Sequence, residues 1–408
     1  MRHRYIGGAV LAAVVAVGWP TAASAQEGGF QVPLNADPVI PIPTGQAGQP
    51  GFYTGIEFVM LTQTKALGNQ SIAVRGFFDA TGAITGIPGQ LTGSGSDALV
   101  TSRMGRREFQ PGFRVELGYK FDTGVRIYGN YLQLYDAHYS AGASLVPFGF
   151  RGRLDQADTF LSAPVYGFPV AFGGSQFNTS FDTAANGGFN TFGIWNAASQ
   201  MDIKFTARYQ QAEVGVRTPL FATDYSSIYS LAGGRFAWFY EKFYWRTVDL
   251  DNDPTLGGTV AAPGRVTPPS NVAIYTNNLS QRMYGGFVGC GHEVYLGNMF
   301  SASLDLTAAA FLDVTKERAK YKLGDETTQS KFGRENFYLV PSGTADLNLW
   351  FYPIEGIQMR LGYSGMTFFN TRYMREPVGY NFGNIDPNIG TKYFRLIHGF
   401  NVGIGFFF

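Results

Sequence analysis

The chain has one cysteine, Cys290, among its 408 residues, so no internal disulfide can form. That excludes the disulfide-stapled class of secreted domain. Charge is scarce as well: acidic and basic residues make up 15% of the chain, against about a quarter in ordinary globular domains. The formal net charge of +1 offers no basic excess, so no nucleic-acid partner is expected. After residue 25, no uninterrupted apolar run approaches the ~18 residues a membrane helix needs. His292 and His398 stand far apart, and no helical pattern follows the glycines of GGFVGCG (285–291). Neither a metal site nor a nucleotide loop is therefore expected, and no cofactor is expected.

Aromatic residues reach 16%, and there are 53 glycines. The chain opens with Arg2 and Arg4, an apolar run from Ile6 to Val17, and the small-residue site Ala23-Ser24-Ala25. That order is expected of a secretory signal peptide, residues 1–25. Its removal would take away two arginines and no acids, shifting the net charge to about −1. Residues 26–50 carry five prolines and no apolar period, and are expected to form an extended periplasmic tether.

From Gly51 onward the dominant pattern has a period of two. In FQPGFRVELGYKF (109–121), Phe113, Val115, Leu117 and Tyr119 alternate with Gly112, Arg114, Glu116 and Gly118. Such alternation is the signature of a strand. Ten segments of this kind are expected, at about 52–64, 109–121, 125–137, 200–218, 226–246, 278–295, 299–319, 336–352, 357–373 and 395–408. In 200–218 the apolar phase slips near Gln210-Gln211, which suggests a β-bulge. Connections at 122–124, 219–225, 296–298 and 353–356 are short. Those at 65–108, 138–199, 247–277, 320–335 and 374–394 are long.

Consecutive antiparallel strands put alternate loops at opposite ends. Regular alternation of short and long loops is therefore expected of a transmembrane barrel with short periplasmic turns and long extracellular loops. The expected fold class is all-β: an antiparallel transmembrane β-barrel of about 10 strands (range 8–14) over 51–408, in contact with outer-membrane lipid. A water-soluble sandwich would show the same periodicity. The strand lengths, aromatic strand ends and long loops favour the membrane.

The ending GFNVGIGFFF places Phe400, Val402, Ile404, Phe406 and Phe408 on one face. Asn401, Gly403, Phe406 and Phe408 resemble the C-terminal assembly signal of bacterial outer-membrane barrels, which implies recognition by the outer-membrane barrel assembly machinery. The glycine- and aromatic-rich strands also resemble the large outer-membrane barrel family of planctomycetes.

Projecting the alternation sends fourteen charges toward the lumen. They are Glu57, Arg114, Glu116, Lys120, Arg126, Lys204, Arg208, Glu213, Arg217, Arg235, Glu241, Asp305, Asp346 and Arg360. Eight are basic and six acidic, so they would either line a mildly anion-selective pore or fill a narrow barrel with ion pairs. The expected function is porin-like passage of small polar solutes. The alternative is a non-conducting structural or adhesive barrel with 138–199 as plug or partner-binding loop. Asp136, His138 and Ser140 could suggest rim hydrolysis, but no second acidic pair accompanies them, and no catalytic residue is expected. Asp249, Asp251 and Asp253 sit at calcium-loop spacing, with Pro254 where the loop's glycine belongs and Val260 in place of the bidentate Glu.

Overall fold

A computed structural model describes residues 50–408 except 64–66, 80–84, 88, 106–107, 145–156, 159, 167–193, 197, 224, 249–271, 298, 327, 355, 383–384, 386–388 and 390–391. The segments at 1–25 and 26–49 and the acidic loop at 249–254 lie outside them.

The wall is a closed antiparallel sheet. Its strands are β1 (Gly51–Gln63), β2 (Gln110–Lys120), β3 (Arg126–Leu134), β4 (Ala137–Ser144), β5 (Gln200–Ala222) and β6 (Ser226–Val248). They continue as β7 (Val272–Gly297), β8 (Phe300–Leu323), β9 (Thr328–Ile354), β10 (Ile357–Arg372) and β11 (Lys392–Phe407). β3 and β4 form one stave interrupted at Tyr135-Asp136, so the ring has ten staves. β11 closes onto β1 from Tyr53↔Phe407 to Gln63↔Ile397. Closure leaves no free edge among the bilayer-depth strands, the condition for a sheet in lipid.

Strands reach 27 residues in β9. A bilayer core needs roughly 10, so the long strands continue well past it. The faces show where the bilayer lies. Near the short turns the outward residues are apolar: Phe58 and Met60 on β1, Val214 and Val216 on β5, Leu304 and Leu306 on β8, Leu347 and Leu349 on β9. Phe400 and Val402 on β11 point outward in the same band, as the ending predicts. Beyond that band, on β5, the outward residues turn polar and the inward ones turn apolar.

This inversion accounts for the phase slip in β5. The expected bulge at Gln210-Gln211 is absent; β5 stays in continuous register with β6 from Gln200↔Val248 to Pro219↔Tyr229. Odd residues face inward throughout, polar at Gln211 and Glu213, apolar at Ile203, Phe205 and Tyr209. The backbone does not change phase; its surroundings do. The extra residue sits on the neighbouring stave, between Leu134 and Ala137, because Ala207 pairs with Ala137 and Gln210 with Gln133. The expected long connection at 320–335 is also corrected. β8 and β9 extend past the bilayer and meet in a tight turn after Leu323, with Ala319 and Tyr321 still buried inward.

On the long-loop side, segments 67–79, 97–104, 160–166, 194–196, 198–199 and 373–382 pack into the concave face of β5–β9. Ile72, Leu99, Leu161, Trp195 and Phe382 are among the residues they bury there.

Candidate functional site

The interior is built in tiers, because each strand contributes one inward residue per two and neighbouring strands run in register. Nearest the short turns is a charged tier. Glu57 accepts from Arg360 at 2.8 Å and from Arg114 at 3.4 Å, and Asn401 Nδ2 donates to it at 3.2 Å. Gly403 lies beside it; a Cβ there would overlap the Glu57 side chain. Glu213 accepts from Arg235 Nε at 2.6 Å and Tyr128 Oη at 2.8 Å. Arg217 donates to Asp305 at 3.4 Å and covers the Tyr229 ring at 4.2 Å. Tyr229 also donates to Asp305 and fills the space where Gly291 lacks a side chain.

These groups surround a cavity of about 80 Å³, also lined by Glu116, Asn130 and Asp346. Such a cavity holds a few water molecules, each needing ≳ 10–15 Å³. Lys120 and Arg126 sit at its short-turn end, opposite each other in register.

Next comes an apolar tier. Val59, Leu61, Leu132, Tyr209, Phe239, Met283, Phe311, Val340, Phe368 and Ile397 converge there and are almost fully buried. Phe368 packs edge-on against Phe239, with ring centroids 5.1 Å apart, and lies 6.1 Å from Phe311. Polar side chains reach this layer too: Asp313 pairs in register with Met283, Gln281 Nε2 donates to Asp313 at 2.9 Å, and Tyr209 Oη donates to Gln211 Oε1 at 2.6 Å.

A second ionic tier follows. Arg395 is 0% exposed and pairs with Glu241 at 3.0 Å. It donates to Gln63 Oε1 at 2.9 Å and to the Arg372 carbonyl at 2.9 Å, and its guanidinium lies between Phe239 and Tyr373 at 4.2 and 4.4 Å. The other Glu241 oxygen accepts from the Met374 amide at 3.1 Å. Glu317 takes Arg334 at 2.5 Å and Arg372 at 3.5 Å.

The outermost tier is aromatic. Trp195, from the 138–199 connection, packs edge-on against Trp245 at 4.4 Å, and Phe382 stacks on Tyr275 at 5.1 Å. Asn277 donates to the Pro377 carbonyl at 3.0 Å, which ties the 373–382 segment to the wall. Tyr380, in the same segment, donates to the Ser71 carbonyl; burial pushes its hydroxyl pKa up to about 12.

Twelve of the fourteen projected charges face inward. Lys204 and Arg208 are corrected: both point outward, on the even face of β5 beyond the apolar band. Removing them leaves six basic and six acidic groups, so the expected anion bias disappears. The projection missed Glu293, Asp313, Glu317, Arg372 and Arg395. Four of them share the parity of inward neighbours: Glu293 follows Gly291, Asp313 and Glu317 follow Asp305, and Arg395 precedes Asn401.

Asp136 and His138 share the outward face, yet they do not engage each other. Asp136 binds Arg208 through two hydrogen bonds of 2.7 and 2.6 Å, while His138 Nδ1 faces Thr206 Oγ1 at 3.3 Å. His292 and His398 also face outward, bonded to Ser226 at 2.8 Å and Tyr363 at 2.7 Å. Among the described residues, no group of three or more His, Cys, Asp or Glu is arranged to hold a metal ion.

No protein-family model matches the chain, and no curated protein matches it. Among solved structures it is similar to the outer-membrane protease OmpT of Escherichia coli, with 7% identity, a TM-score of 0.41, and coverage of 88% of this chain and 97% of that one. It is similar also to the toluene transporter TodX of Pseudomonas putida (10% identity, TM-score 0.26, 90% and 92% covered). A Pseudomonas aeruginosa FadL homologue shows a comparable likeness (10% identity, TM-score 0.24, 90% and 93% covered).

Proposed function

We propose that this chain is a non-conducting outer-membrane barrel: a rigid, internally filled support that holds its long-loop end outside the cell. The observation that carries this reading is the close-packed tier around Phe239, Phe311 and Phe368, almost fully buried and stacked between two ionic tiers. An ion crossing that layer would exchange its water for apolar side chains and for polar groups already bonded to one another, as Gln281 is to Asp313, which costs several kcal/mol at least. Porin-like passage would require the whole tier to open. The inward charges, paired as Glu57 with Arg360, Glu213 with Arg235 and Glu241 with Arg395, then act as internal cross-bracing rather than as a selectivity filter.

In this reading the parts of 138–199 at 160–166, 194–196 and 198–199 serve as plug: Ile194, Trp195 and Ala198 are fully buried. Export by residues 1–25, placement in the outer membrane, and recognition of Asn401, Gly403, Phe406 and Phe408 by the assembly machinery belong to the same proposal. So does kinship with the planctomycete-type barrels. The test is a liposome-swelling assay with a small sugar such as arabinose. Vesicles carrying the folded protein should swell no faster than empty ones; size-dependent swelling would refute the proposal.

A further inference from the structure

We propose that the outward wall of β5–β9, just beyond the apolar band, docks the phosphate headgroups of lipids in the leaflet on the long-loop side. The register lays this wall out as a grid. The last apolar row reads Phe236, Tyr284, Leu312 and Leu339, each paired with the next across β6–β9. One step further the row is mixed: Trp238 pairs with Arg282, Arg282 with Val314, and Val314 with the exposed Phe337. In the rows above, Ser280 opposes Lys316, then Lys242 and Arg318 flank Asn278, then Thr276 separates Tyr244 from Lys320. Successive rows stand about 7 Å apart along the strands, and the strands about 4.8 Å apart, so these cations on β6–β8 cover a patch roughly 20 Å along the strands and roughly 10 Å across.

The patch is one-signed. Glu335 is the outward carboxylate within those rows on β5–β9, and it is engaged by Lys316 at 3.2 Å. Lys242, Arg282, Arg318 and Lys320 pair with no carboxylate among the described residues. Cations deployed for internal bracing would have partners, as Arg235 and Arg360 do in the lumen. These instead stand on the solvent-side wall from the height at which the apolar band ends outward.

A second observation fixes that height. Trp238 stands at the boundary, its indole Nε1 donating to Ser280 Oγ at 3.0 Å, with Arg282 5.7 Å and Arg208 5.8 Å from its ring. An amphipathic ring at the apolar limit, overlaid by guanidinium groups, is the arrangement suited to the headgroup level. Acyl chains would lie on Tyr284, Leu312 and Leu339, while the phosphates meet Arg282, Lys242, Arg318 and Lys320. Charge complementarity commits the surface to an anionic lipid rather than a zwitterionic one, and the adjoining apolar rows commit it to a lipid rather than to free phosphate.

The proposal rests on membrane insertion and is independent of whether the lumen conducts. Native mass spectrometry of the full folded protein, released from a neutral detergent, tests it. The probes are diphosphorylated lipid A, the same lipid enzymatically dephosphorylated, and inorganic phosphate as competitor. Expected are retained adducts with the diphosphorylated lipid only, undisturbed by millimolar phosphate. In Arg282→Gln/Arg318→Gln/Lys320→Gln, shown folded by heat-dependent gel mobility, affinity should fall about 100-fold, from about fivefold per cation at an anionic lipid surface. Equal retention of the dephosphorylated lipid, displacement by phosphate, or unchanged affinity in the folded triple variant would each overturn the proposal. Failure of membrane insertion would show separately, as a protein that folds without detergent or lipid.

Discussion

Arg395→Met removes the cation of the buried ionic tier, and its cost can be worked from the contacts. Arg395 is fully buried and Glu241 nearly so, so neither charge is repaid by water. Losing the guanidinium leaves Glu241 with the Met374 amide as its remaining donor among those described. A buried charge stripped of its partner costs about 3–5 kcal/mol. Loss of the stacking on Phe239 and Tyr373 adds about 0.5–2 kcal/mol for each ring. Glu241→Met should cost a similar 3–5 kcal/mol by stranding Arg395 instead.

The double variant behaves differently, because a buried ion pair replaced by apolar residues of similar volume is often neutral or stabilising. Arg395→Met/Glu241→Met should therefore be less destabilised than either single variant, with a coupling energy of about 3–5 kcal/mol. Urea unfolding in lipid vesicles, followed by tryptophan fluorescence and gel mobility, measures all four corners of the cycle. Additive costs in the double variant would refute the reasoning, since they would mean that the two charges do not stabilise each other.

Three further outcomes follow from other contacts. Phe239→Ala/Phe368→Ala empties the centre of the apolar tier; each truncation costs about 3–5 kcal/mol, and if the barrel still folds it should show ion conductance that the wild type lacks, read in a planar bilayer. Gly291→Ala drives a methyl into the Tyr229 ring, costing about 1–3 kcal/mol as overpacking in the same urea assay, and Tyr229→Ala in that background should recover part of the loss. Cys290 faces outward at bilayer depth, between Leu306 and Ser230 in register; in vesicles it should resist a charged maleimide and react with a membrane-permeant apolar one, whereas Ser140→Cys, on the polar outer wall, should react with both.

Much of the wall was legible in the sequence. The alternation in 109–121 marks a strand because successive side chains must point to opposite faces, and that rule needs no knowledge of the fold. Alternating loop lengths then set the topology. Which face is inward was not legible locally. In 200–211 the apolar residues Ile203, Phe205 and Tyr209 look like a lipid stripe, yet Ile203 and Phe205 face plug segments that lie far away in the chain and Tyr209 faces the apolar tier. Lys204 and Arg208 were sent to the wrong side by that ambiguity. Parity carried up from Glu213 and Arg217 would have settled it. The same parity argument reaches Arg395 from Asn401, and Glu317 from Asp305. The partnership of Arg395 with Glu241 was not legible at all, because it joins strands more than a hundred residues apart and depends on the ring closing.

The proposed function requires a sealed interior. Single-channel conductance of the purified wild-type protein in a planar bilayer tests it most directly, with folding shown by heat-dependent mobility and insertion by protease protection. The tiered interior predicts a silent baseline in the wild type, with steps appearing in Phe239→Ala/Phe368→Ala. Discrete conductance steps from the folded wild type would contradict it.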